Sequence, residues 1–176
     1  MTESYYFDGS SYAFATLASS KYNYGTADFT IEFWVYPLSG PVSTYTPVFY
    51  TNHAYGDWDS GGAGIRVSHQ NVIFSGSFQQ LDFATAIQNN VWSHFALVRS
   101  GNTITAYING VSAGFISRTE AVGSNTDSPA LATADRVSTG GREFLTGYIN
   151  NLRITKGVAR YTATFTPPTA PFPTSA

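Results

Sequence analysis

Side chains change character at every second residue along much of this chain, and that period of two confines it to β structure. In Phe29–Tyr36, Phe29, Ile31, Phe33 and Val35 point one way, while Thr30, Glu32, Trp34 and Tyr36 point the other. Successive side chains of a strand leave opposite faces, so this is a strand with a core face and an outer face. Trp92–Arg99, Thr103–Ile108 and Val111–Phe115 obey the same rule and are joined by Gly101-Asn102 and Asn109-Gly110. Asn-Gly between alternating runs signals a type I′ hairpin, in which both central residues take positive φ. These segments therefore form a meander. Further strands are expected at Ser4–Phe7, Tyr12–Thr16, Pro47–Thr51, Gly64–Ser68, Val72–Ser75, Gln79–Phe83 and Phe144–Thr155, separated by Gly, Asn and Ser. No segment has a helical period, and Lys156–Arg160 is read as one short turn. Many short strands with turn signals between them predict an all-β fold, a two-sheet antiparallel jelly-roll sandwich.

A chain of 176 residues suits one such sandwich and buries a full core without staples. It has no cysteine, so disulfides, thiol chemistry and the commonest zinc sites are excluded. Charged residues make up 11%, against about 25% in an average chain. Aromatics reach 16%, so solubility rests on neutral polar groups, as in extracellular or particle-surface β proteins. A net charge of −2 without a basic cluster argues against nucleic-acid binding, which needs phosphate neutralisation. No apolar run approaches the roughly 18 residues of a membrane span. Met1–Tyr5 lacks the basic and apolar regions of a signal peptide, so none is expected. The domain is placed at residues 1–165, with 166–176 as an extended Pro-rich tail, because Pro cannot donate to a central ladder. Phe165 and Phe172 are expected to anchor that tail on its own sandwich near the first strand, with part of it reaching a neighbour.

Several segments together resemble a known family. Tyr6-Phe7-Asp8-Gly9-Ser10-Ser11-Tyr12 is similar to the opening strand of laminin G-like, concanavalin A-like domains. Phe29-Thr30-Ile31-Glu32-Phe33-Trp34-Val35-Tyr36-Pro37 resembles their "FTIE-aromatic-W-V-x-P" strand. Trp92-Ser93-His94-Phe95-Ala96-Leu97-Val98-Arg99 with Thr103–Gly110 resembles their characteristic hairpin. Gly147–Tyr161 is similar to their closing strand, and its Thr155–Tyr161 extension and Phe165-Thr166-Pro167-Pro168 resemble the versions found in bacteriophage virion proteins. The resemblance implies the concanavalin A-like sandwich. Asn150-Asn151 stands where the family often has Asp-Asp, which removes charge from any calcium site there.

Glycoside hydrolysis on this fold needs two carboxylates about 5–9.5 Å apart. None of Glu3, Glu32, Glu120 and Glu143 has an Asp or Glu two or four residues away in its own strand, so a hydrolase is disfavoured. His53, His69 and His94 lack zinc-ligand spacing, and no Gly-x-Ser-x-Gly elbow occurs. His94 is read as a residue hydrogen-bonded within the sandwich. The segment Asn52–Gly62 is long, polar and Gly-rich, and long loops on rigid β scaffolds often carry function. Its Tyr55 and Trp58 suit stacking on a sugar ring, with His53, Asp57 and Asp59 as hydrogen-bond partners. No cofactor is expected, with calcium the weak remaining candidate: Asp57 and Asp59 resemble the start of a calcium loop that lacks its bidentate Glu, and Asn150 offers only a neutral oxygen. Ser117–Ser138, carrying Arg118, Glu120, Asn125, Asp127, Asp135 and Arg136, reads as a nearly structureless connection, an interface or a second rim.

The expected function is that of a non-catalytic virion surface protein: a capsid decoration, head fibre or tail adhesin that binds host glycans. The alternative is a carbohydrate-binding module of a bacterial surface protein. Expected partners are glycans or other virion proteins, with the chain a homo-oligomer or docked on a lattice. The corresponding location is the virion surface or, in the alternative, the extracellular or bacterial cell surface.

Overall fold

Asn109 and Gly110 take φ values of 52° and 79°, and Gly101 takes 58°, so both hairpins close as their sequences require. The computed structural model describes residues 4–14, 22–38, 47–51, 65–74, 79–123, 130–136 and 141–172. Among them run β1 (Tyr5–Asp8), β2 (Ala13–Phe14), β3 (Phe29–Pro37), β4 (Pro47–Thr51), β5 (Ile65–Ser68), β6 (Asn71–Phe74) and β7 (Gln79–Asp82). They continue as β8 (Ser93–Ser100), β9 (Thr103–Ile108), β10 (Val111–Ser117), β11 (Ala130–Leu131), β12 (Thr133–Arg136), β13 (Gly141–Phe144) and β14 (Thr146–Lys156). One sheet has the order β1-β14-β3-β8-β9-β10, the other β2-β11-β4-β5-β6-β7, and β12 pairs with β13. All pairings are antiparallel, and the protein is the expected two-sheet sandwich.

The core lies between the six-stranded sheets. Phe29, Ile31, Phe33 and Val35 of β3 are fully buried there with Phe95 and Leu97 of β8. Phe49, Val67 and Phe74 come from the facing sheet, and Phe33 stacks on both Phe49 and Phe95. Such interlocking keeps a core near crystal packing density.

Three local readings change. The segment read as one strand, Phe144–Thr155, breaks at Leu145, whose N–H leaves the ladder to bond Ala132 O. Lys156–Arg160 forms no helical turn; Gly157 bends at φ 78° and donates to Asp28 O, and the chain then runs extended. The connection after Ser117 is more ordered than expected. Val122 pairs with Gly25, β11 fills the second sheet, and Arg118 is buried with its guanidinium over Phe74. Buried Arg99 donates to the carbonyls of Gly25, Gly101, Arg118 and Glu120, gathering these turns around one cation. Arg118, Val122 and β11 of that connection thus belong to the scaffold, while Thr119, Glu120 and Ala121 stay exposed.

A bulge between Asn150 and Arg153 sets what the first sheet presents outward. Asn151 sits there at φ 49°, a conformation Asn tolerates better than most residues. Tyr148 and Asn150 oppose Tyr36 and Trp34, but beyond the bulge Arg153 and Thr155 oppose Glu32 and Thr30. The extra residue reverses the alternation, so odd-numbered residues of β14 now share the outer face with even-numbered residues of β3.

The C-terminal segment crosses that outer face as a strap. Phe165 stacks on Tyr161 at 3.6 Å and meets Tyr107 and His94 edge-on. Its N–H donates to Gly110 O. Trp34 Nε1 donates to Pro168 O, and Phe172 lies over the Arg153 guanidinium at 3.9 Å. The strap therefore covers β9, β8, β3 and β14, away from β1, because those central strands offer the apolar seat of Ala96, Val98 and Tyr107.

Candidate functional site

Beyond the strap, the outer face ends in partly exposed aromatics. The antiparallel registers bring Tyr6 of β1 opposite Tyr148 of β14, and Tyr148 opposite Tyr36 of β3. Trp92, just before β8, completes the group. Ring centroids lie 5.0 Å apart for Tyr6–Tyr148, 6.1 Å for Tyr36–Tyr148, 5.5 Å for Tyr36–Trp92 and 6.5 Å for Trp92–Tyr148. The rings are tilted and touch one another, which is the favoured aromatic geometry. Tyr6 is 54% exposed, and the other three are half-buried. Four contiguous rings on a solvent-facing sheet offer broad apolar faces together with phenolic and indole hydrogen-bonding groups.

The next rows of the same face lie under the strap and are polar but closed. Glu32 is fully buried. Its Oε1 accepts from Arg153 Nε at 2.8 Å, with Arg153 Nη2 at 2.6 Å, and its Oε2 accepts from the Tyr161 hydroxyl at 2.8 Å. His94 Nε2 lies 3.3 Å from Oε2, off the line of a good hydrogen bond. Burial by itself would raise the Glu32 pKa. The neighbouring His94, Arg153 and Tyr161 outweigh it and hold the carboxyl below its ordinary range. Burial, and then the bond to Glu32, push the Tyr161 hydroxyl up to about 12. Thr30 Oγ1 donates to Val158 O and accepts from Arg160 N. Glu32 and Thr30, read as outer-face residues, are therefore buried anchors of the strap, and the ionised Glu32 has a structural task.

The loop residues His53, Tyr55, Asp57, Trp58 and Asp59 lie outside the described residues. Asn150 is only 7% exposed beside Trp34, and Asn151 is committed to the bulge. Among the described residues, no cluster of three His, Cys, Asp or Glu is placed to hold a metal ion. The aromatic group was missed by sequence reading because its members stand at positions 6, 36, 92 and 148. Each lies in an expected strand or at its start, but no local spacing joins them.

A family model described as the concanavalin A-like lectin/glucanases superfamily matches residues 7–160. The chain belongs to this superfamily. Among solved structures, this lectin/glucanase-superfamily domain is similar to the CBM40 of the Ruminococcus gnavus IT-sialidase, with 13% identity, 92% of this chain and 93% of that one covered, and a TM-score of 0.68. It is also similar to domain 4 of AbnA, a GH43 extracellular arabinanase from Geobacillus stearothermophilus, solved in complex with arabinotriose, with 21% identity, 89% and 71% coverage, and a TM-score of 0.63. Domains LG4-5 of the mouse laminin alpha1 chain share 16% identity over 87% of this chain and 40% of theirs, with a TM-score of 0.60. At such identities the likeness concerns the fold. No curated protein matches the chain.

Proposed function

We propose that this domain is a non-catalytic carbohydrate-binding module whose ligand rests on Tyr6, Tyr36, Trp92 and Tyr148. The single observation that carries the reading is that cross-strand aromatic cluster, partly exposed beside the strap that covers the central strands of the face. A sugar ring has C–H faces that pack on aromatic rings and hydroxyls that bond to their polar edges. At roughly 25 cal/mol per Å² such stacking yields a few kcal/mol, and association entropy offsets much of it. One site should bind in the range of about millimolar to tens of micromolar. Two similar domains fit this use, since one was solved with arabinotriose and the CBM40 bound to alpha2,3 sialyllactose. The one buried carboxylate of this face, Glu32, is bonded to Arg153 and Tyr161 and shielded from any substrate, which favours binding over hydrolysis.

Weak sites gain from repetition, because effective concentration multiplies the affinity of linked copies. The similarity of the closing segment to bacteriophage virion proteins supports display on a virion surface in many copies, as an oligomer or docked on a lattice. Light scattering tests self-assembly; a concentration-independent monomer would leave only lattice docking.

A glycan array followed by titration tests the binding reading. Trp92→Ala and Tyr148→Ala should abolish binding while each variant retains a cooperative thermal transition. Binding unchanged in both would move the ligand elsewhere, with Trp58→Ala then testing the Asn52–Gly62 loop. Product release from bound glycans would overturn the non-catalytic assignment.

A further inference from the structure

The uncovered end of the outer face carries one more group. On β1, Tyr6 and Asp8 share a face, because Phe7 between them is buried in the core. Asp8 pairs across to Thr146, one step along β14 from Tyr148 on the same face. The Asp8 carboxylate therefore borders the aromatic cluster.

Its two oxygens are used unequally. Oδ1 accepts four hydrogen bonds from the following turn: Ser10 N at 2.9 Å, Ser10 Oγ at 2.9 Å, Ser11 N at 2.8 Å and Ser11 Oγ at 2.8 Å. Oδ2 accepts none from the described residues, and the side chain is exposed to solvent. The turn thus fixes the carboxylate and leaves one acceptor oxygen free. Those hydrogen bonds also keep the group ionised well below the usual carboxylate range. A fixed anionic acceptor loses little entropy when it takes a ligand hydroxyl, and bonds to charged acceptors are stronger than neutral ones.

The charge also selects. No Lys or Arg occurs in residues 84–92, which lead into the Trp92 corner, or in β1 and β3. Arg153 of β14 is engaged by Glu32 and covered by Phe172, and Arg99 of β8 is turned inward. Lys156 ends β14 opposite Phe29, at the other end of the strand from Tyr148, so the cluster faces a carboxylate with no cation beside it on its own strands. An anionic sugar would be repelled. A quaternary ammonium would suit the charge, but such cations sit in a hollow between aromatic faces. Here the rings pack directly on one another at 5.0 to 6.5 Å and leave no such hollow.

We infer that Asp8 is a ligand-contacting residue and that the site takes neutral saccharides, whose hydroxyls donate to Asp8 Oδ2 while a ring stacks on the aromatic cluster. This assignment rests on the carbohydrate-binding reading above and adds the ligand's charge class and a polar contact. Asp8→Asn isolates the contact. The amide keeps an Oδ1 acceptor for the Ser10–Ser11 turn and replaces the free acceptor with a donor.

The test is an array of neutral, sialylated and free-amino oligosaccharides, followed by titration of the strongest neutral binder against the parent, Asp8→Asn and Trp92→Ala. Neutral glycans should dominate, with affinity insensitive to salt. Asp8→Asn should weaken them about tenfold or more, and Trp92→Ala should abolish binding. In the parent, the amides of Asp8, Ser10 and Ser11 should shift on titration by NMR, which keeps the test open if a variant misfolds. Preference for sialylated or amino glycans, parental affinity in Asp8→Asn, or unmoved amides at those residues would each overturn the inference. Where Trp92→Ala still abolishes binding, the carbohydrate-binding reading survives that result. Binding to no glycan at all removes both.

Discussion

Tyr161→Phe is the most direct probe of the strap. The hydroxyl donates at 2.8 Å to a carboxylate that is fully buried, while the ring lies flat on Phe165 at 3.6 Å and 5°. The substitution deletes the bond and keeps the stack. A hydrogen bond to a charged group contributes about 1.5–3 kcal/mol. Tyr161 is half-buried, so water replaces part of what is lost, and the lower half of that range, about 1.5–2 kcal/mol, is expected. At about 2–4 °C per kcal/mol for a chain of this size, Tm should fall by about 3–8 °C. Urea unfolding should show a lower midpoint with an unchanged slope. The effect should also depend on pH. Glu32 has a depressed pKa in the folded protein, so its contribution is fully present above the ordinary carboxylate value. It is lost as pH falls through the depressed one. The gap between parent and variant should therefore narrow only in acid, as pH falls through that depressed value. Asp8 also titrates below its ordinary value, but it does so in both proteins and cancels from the difference. A loss below about 0.3 kcal/mol at pH 7 would refute the anchoring by Glu32.

Further substitutions probe the strap seat and the two faces of β3. Gly110 and Gly101 both take positive φ, but a Cβ on Gly110 would lie 1.8 Å from Phe165 O whereas one on Gly101 meets nothing within 4 Å. Gly110→Ala should therefore cost clearly more than Gly101→Ala, whose loss of about 1 kcal/mol reflects backbone strain alone, and should raise proteolysis within residues 160–172; equal losses would contradict the docking contact. Phe33→Ala should cost about 3–5 kcal/mol through its cavity, as seen in urea melts. Thr30→Ala, which outer-face placement alone would make nearly neutral, should cost about 1–2 kcal/mol because two strap hydrogen bonds are lost; a silent Thr30→Ala would leave the strap held by its aromatics only.

The sandwich was legible because its determinants are local. Phe29, Ile31, Phe33 and Val35 declare a core face by alternation alone, and Asn109-Gly110 closes its hairpin with the backbone angles that this dipeptide favours. The break at Leu145 and the ordering after Ser117 were not legible. Each depends on a partner far away in the chain: Ala132 for Leu145, Gly25 for Val122, and one buried Arg99 for four carbonyls.

The amino-acid sequence by itself determined the strands up to Ser117, the core face of β3, the hairpins and the family, since period, turn chemistry and motif order lie within short windows. It also marked Phe165 and Phe172 as side chains that a proline-rich segment would need to bury. Tertiary structure alone decided where that segment lands, and with it the state of Glu32. A lone outer-face carboxylate becomes a buried, ionised anchor only when Arg153 and Tyr161 arrive beside it, and Arg153 arrives only because the bulge at Asn151 reverses the phase of β14. The aromatic cluster has the same origin. Tyr6, Tyr36, Trp92 and Tyr148 become one surface through the registers of three strand pairs, and register between distant strands is set by how the whole core packs.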